Sequence, residues 1–127
     1  YCDGSANSEF SEARMSALGH PSLGANDLEI VVQRTVRSTN GILFYGASTA
    51  SLPLGDGVLC VAQPITRVPG IATATIRGVM SFPLDLQAPP LSSVAAGSTV
   101  HFQAWYRDAA GIAGSNTSSA LSVTFCP

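Results

Sequence analysis

The chain has no lysine, and charged side chains make up only 11% of it, against roughly a quarter in an ordinary soluble domain. All six basic residues are arginine, and eight acids leave a formal net charge of −2. With no basic cluster there is no footprint for nucleic acid, whose phosphates demand grouped cations. No apolar run approaches the roughly 20 residues that a spanning helix needs, so no membrane span is expected. Mean hydropathy is +0.28, and so small a net charge provides little repulsion between copies. Either serine, threonine, glycine and alanine dress the surface in place of charges, or other copies or a partner cover part of it.

Cysteine is also scarce. Cys2, Cys60 and Cys126 lie too far apart for a zinc site, which uses close pairs. The opening Tyr1-Cys2-Asp3, without initiator methionine or export signal, reads as a mature product whose signal has been removed. The expected location is therefore outside the cell or on its surface, where three cysteines suggest one disulfide and one leftover thiol.

What is present is period-two alternation bounded by turn residues. Leu28, Ile30 and Val32 share one face, and the clearest run, Val100–Arg107, sets Phe102, Ala104 and Tyr106 against His101, Gln103, Trp105 and Arg107. Leu121, Val123 and Phe125 close the chain in the same manner. Further apolar runs follow Asn40-Gly41, a strong turn signal, and Gly55-Asp56-Gly57. Pro83 inside a strand-like run marks an edge or a bulge. No stretch has sustained helical periodicity. About eight short strands of this kind predict one all-β domain over residues 13–127. The expected architecture is a single antiparallel β-sandwich, jelly-roll-like, in which each half-apolar sheet covers the other. Residues 1–12 are polar and patternless and read as an N-terminal arm.

Chemistry is sparse along the chain. A serine hydrolase needs a nucleophile, a histidine and an orienting carboxylate; only His20 and His101 are available, and no Gly-x-Ser-x-Gly elbow occurs. Asp27, Asp56, Asp85 and Asp108 sit where aspartate bonds the backbone of turns, and Gly55-Asp56-Gly57 lacks the spaced acids of a calcium loop. No catalytic residue, metal or cofactor is therefore assigned. The most suggestive group is Trp105 with Gln103 and Arg107. On an outer face these would stack on a sugar ring and bond its hydroxyls; alternatively Trp105 packs under a loop or second sheet and Arg107 pairs with Asp108 or another carboxylate. Asn116-Thr117-Ser118 fits the glycosylation sequon.

Several stretches in order carry a likeness. They are Gly24-Ala25-Asn26-Asp27-Leu28, Gly41-Ile42-Leu43-Phe44-Tyr45-Gly46, Pro53-Leu54-Gly55-Asp56-Gly57-Val58-Leu59-Cys60-Val61 and, most specifically, Phe102-Gln103-Ala104-Trp105-Tyr106-Arg107-Asp108. The chain resembles an uncharacterised extracellular domain that recurs in secreted proteins of planctomycetes and related bacteria, often at a C-terminus. The resemblance spans nearly the whole chain and implies export and a β-sandwich, with no established activity. It also implies that Cys2 pairs with Cys60, which leaves Cys126 free or available to another chain. A Cys2–Cys126 bond tying the termini is equally legible from the residues alone.

These readings converge on a non-catalytic secreted structural subunit that assembles with copies of itself, as a filament or surface layer, through strand edges. Tyr1, Cys2, Asp3 and Phe10 belong to the candidate donor arm, and Cys126 is the candidate covalent link. The alternative is a module that binds extracellular polysaccharide or a cell surface through Trp105, Arg107 and Gln103.

Overall fold

A computed structural model describes all residues from Tyr1 to Pro127. The strands are β1 (Arg14–Leu18), β2 (Glu29–Gln33), β3 (Asn40–Gly46), β4 (Thr49–Leu54), β5 (Gly57–Val61), β6 (Thr66–Arg67), β7 (Ala72–Thr73), β8 (Met80–Pro83), β9 (Thr99–Arg107), β10 (Ser115–Thr117) and β11 (Leu121–Thr124). The only helical element is a single 3-10 turn at Leu91–Ser93. All strand pairings are antiparallel.

Two sheets form the β-sandwich that the alternation predicts. One has the order β1-β2-β8; the other runs β10-β9-β3-β6, with β11 also on β9 and β7 also on β3. Period two works here because alternate residues point to opposite faces. Ile30 and Val32 from the small sheet meet Leu43, Phe102, Ala104 and Tyr106 from the large one in a single buried cluster. Pro83 ends β8, an edge strand, where its missing N–H removes no ladder bond.

Three strands go beyond the eight read from the sequence: β4, β6 and β10. The hairpin β4–β5, turning at Gly55-Asp56 with Gly55 at φ +60°, does not extend either sheet. It lies on the outer face of the large sheet, where Leu59 and Val61 bury Phe44 in a second small cluster against which Leu54, Ile65 and Trp105 pack. The fold is thus a two-sheet sandwich with a partial third layer.

Asn40-Gly41 is not the turn that its composition predicts. Both residues belong to β3 and pair with Thr73 and Ala72, and the chain reverses earlier, at Arg37-Ser38, with Ser38 at φ +60°. Gly41 is required for room instead. A Cβ there would lie 2.7 Å from Met80 Sδ and 3.0 Å from the Trp105 carbonyl oxygen. Gly41→Ala should cost about 1–3 kcal/mol of stability by overpacking, read as a lower urea midpoint. Shortening the neighbour in the double variant Gly41→Ala/Met80→Val should recover part of that loss, whereas a turn defect would be indifferent to Met80.

Candidate functional site

Gln103 does not reach the surface, contrary to the expectation for it as a ligand-binding residue. It points to the outer face of the large sheet as the alternation requires, but β5 covers that face and buries it completely. Its Oε1 accepts the Cys60 N–H at 2.9 Å, and its Nε2 donates to the carbonyls of Val58 and Ser118 at 2.8 and 2.9 Å. A buried amide needs partners, and these three satisfy it.

Trp105 and Arg107 lie beyond the edge of that cover. Trp105 is half-buried, and the Arg107 guanidinium carbon sits 5.2 Å from its ring centroid, a cation–π distance. The expected pairing of Arg107 with Asp108 or another carboxylate does not occur, because Arg107 ends β9 exposed and Asp108, the next residue, turns inward. Asp108 is buried and accepts Ser8 N–H at 2.8 Å together with the Ser8 hydroxyl. Around Trp105 runs a groove of about 240 Å³ bordered by Ile71, Arg67 and Arg107. It continues past Ile42 and Trp105 into an apolar stretch of about 290 Å³ floored by Phe44, Leu59 and Ile65. Neither Arg67 nor Arg107 has a carboxylate within 4.0 Å, since the only ion pairs of the molecule are His20–Asp27 and Arg37–Glu9.

Residues 1–12 are held on the body of the molecule and are not a free arm. Cys2 is disulfide-bonded to Cys60, Cα atoms 6.3 Å apart. The Tyr1 ammonium donates to the Ala120 carbonyl and the Tyr1 hydroxyl to that of Cys60. Asp3 stays exposed. Asn7 organises the loop that follows. Its Oδ1 accepts the N–H groups of Glu9 and Ser11, while its buried Nδ2 donates to Arg34 O and the Tyr106 hydroxyl. Burial pushes the Tyr106 phenol up to about 12. Glu9 accepts the Arg37 backbone N–H and guanidinium, which hold its carboxyl below the ordinary value. Phe10, at φ +59°, is thereby presented with 93% of its surface in water.

Beside it the loop between β9 and β10 presents Ile112 fully exposed. The two apolar tips flank a hollow of about 510 Å³ that also contains Asp56 and Asp108 and no basic residue. Asp56 accepts the Ala113 N–H. Neither the paired loops nor the 7–11 turn announces itself in the sequence; the usable signal is Asn7 followed by Ser8 and Ser11, short side chains that bond backbone.

The remaining groups are placed plainly. Cys126 is a free, exposed thiol on a tail paired to Pro21–Leu23. His101 Nδ1 lies 2.7 Å from Ser122 Oγ with no carboxylate within 4.0 Å to orient it. His20 bonds Asp27 in solvent, which lowers the Asp27 carboxyl. Asn116 is buried with its amide donating to Ser5 and Ala6 carbonyls, so the sequon is closed in the folded chain. No group of three metal-ligating side chains occurs. Comparison with family models, curated proteins and solved structures finds no match, so the site rests on its own chemistry.

Gln103→Leu should destabilise the chain by about 1–3 kcal/mol for each buried group it leaves unpaired, measured by denaturant unfolding; a surface role would leave the midpoint unchanged. The Glu9 latch has its own signature. A lowered folded pKa stabilises above the ordinary value of 4.5 and is lost as pH falls through the lowered one. The Arg37 amide resonance should therefore titrate with a midpoint below 4.5, and that step should vanish in Glu9→Gln.

Proposed function

We propose that the chain is a non-catalytic extracellular subunit that associates with copies of itself. The observation that carries this reading is Phe10. A loop with a buried asparagine hub, an ion pair and a left-handed residue holds a phenylalanine 93% exposed, next to a fully exposed Ile112. A monomer gains nothing from such a presentation, because burying one of these side chains is worth roughly 1.5–3 kcal/mol. Exposed apolar clusters with a polar rim are where partners dock.

Three further features support it. The low charge and absence of lysine leave copies free to approach. The Cys2–Cys60 disulfide suits an oxidising compartment, as does the resemblance to an extracellular domain. The free Cys126 thiol offers a covalent link once copies meet. A saccharide platform at Trp105 is less well supported, since Arg107 covers part of its ring and Gln103 is buried beneath β5.

Sedimentation of the full chain over a wide concentration range, with and without reductant, tests this. The wild-type chain should form species larger than a monomer, and Phe10→Ser/Ile112→Ser should weaken association at least tenfold without altering the near-ultraviolet dichroism. Cys126→Ser should remove only the reductant-sensitive fraction. A wild-type chain that stays monomeric at every concentration would overturn the reading.

A further inference from the structure

Resting on that self-association, we infer that the tips Phe10 and Ile112 of one copy dock into the Trp105 groove of the next, making a head-to-tail contact. The two surfaces are both apolar, one projecting and the other recessed. Two apolar prongs separated by a hollow face a groove whose floor is Phe44, Leu59 and Ile65 and whose rim carries Ile71, itself 64% exposed. The combined groove has room for one aromatic and one branched side chain.

The charges match as well. The hollow between the tips contains Asp56 and Asp108 and no cation; the groove is bordered by Arg67 and Arg107 and contains no acid. None of these four groups has an ion-pair partner within its own chain. Two exposed guanidiniums on one surface and, on the other, the half-buried Asp56 carboxylate with the buried Asp108 behind it give opposite signs beside exposed apolar groups, the arrangement expected of an interface whose other half lies on another molecule. Docking brings an arginine of one copy between the prongs of the other, where Asp56 is the reachable carboxylate and Asp108 lies behind it.

Tips and groove are different surfaces of the same chain. Trp105 and Arg107 stand on the outer face of β9, whereas Phe10 and Ile112 stand on loops beyond the strand end. The contact is therefore heterologous, and each added copy leaves one tip and one groove unfilled. Such a contact closes only if its rotation makes a ring; otherwise it propagates as a filament.

Complementation tests it. A groove variant, Arg67→Glu/Arg107→Glu/Ile71→Ser, changes only exposed positions, and a tip variant is Phe10→Ser/Ile112→Ser; an intact Cys2–Cys60 bond and unchanged dichroism verify both folds. Each alone should sediment as a monomer, and their equimolar mixture should yield one-to-one dimers and nothing larger, since one competent tip meets one competent groove. Asp56→Asn keeps the acceptor for Ala113 N–H, removes the charge, and should weaken wild-type association about tenfold. A monomeric wild-type chain would overturn the self-association reading and this inference together. If the wild-type chain associates and the groove variant does so equally well, only the docking site is wrong. Two monomeric variants that fail to dimerise on mixing overturn the head-to-tail pairing. If the groove variant associates normally but loses retention on an acidic polysaccharide matrix, the groove serves a saccharide instead.

Discussion

The amide of Gln103 joins three segments that the sandwich alone would leave apart. β9 is the central strand of the large sheet, with β3 on one side and β10 and β11 on the other, so its outward face must either meet water or be covered. Gln103 binds the Cys60 N–H and the carbonyls of Val58 and Ser118 across that face, which fixes β5 over it. Once the amide is out of water each bond becomes obligatory, since an unpaired buried partner costs more than the bond gains. Cys60 is then held three ways: its N–H by Gln103, its carbonyl by the Tyr1 hydroxyl and its sulfur by Cys2. The hairpin, the chain start and the wall of the Trp105 groove all follow from that node.

A second buried polar contact governs the far end of the molecule. Tyr106 fills the core with its ring and places its hydroxyl where Asn7 Nδ2 donates to it. A phenol is already neutral at physiological pH, and burial pushes this one up further, to about 12. Asn7 passes this rigidity outward through Glu9 and Ser11. Two internal amides, Gln103 and Asn7, thus position the groove and the tips.

What was legible in the sequence was what hydrophobic periodicity controls. Ile30, Val32, Phe102, Ala104 and Tyr106 all lie in the core where alternation places them, and β9 was readable nearly to its ends. The alternation also assigned Gln103 correctly to the outward face but could not reveal that the face is covered. The cover, Gly-Val-Leu-Cys-Val of β5, reads as one more apolar strand, and nothing in that run tells that it lies across β9 and not beside it in a sheet. Residues 1–12 looked patternless because polar bonds and a disulfide dock them, and neither leaves a hydrophobic period. Asn40-Gly41 misled for a similar reason: glycine serves close approach as well as turning, and only the position of Met80 distinguishes the two.

The sheet edges explain why association would run through loop tips and not through strand addition, which the sequence had favoured. An open edge invites an incoming strand, and natural sheets blunt their edges. Here β8 ends in Pro83. β10 lies under a side-chain and backbone cover, with Asp56 N–H on the Ser115 carbonyl and Asn116 bonded to Ser5 and Ala6. On β1 the Met15 N–H is taken by Ser119 Oγ, and the Ala13 carbonyl accepts from the Ser119 N–H. β6 is two residues long. The candidate donor segment, Tyr1 to Phe10, is fastened to its own chain at Cys60, Ala120, Arg34 and Asp108. With these four edges blunted and the arm fastened, the Phe10 and Ile112 tips and the groove beside Arg67 and Arg107 are the apolar surfaces that the proposed contact uses. Under the proposed docking, contacts of that kind would be set by side chains and charge and would not expose the backbone template that leads to aggregation.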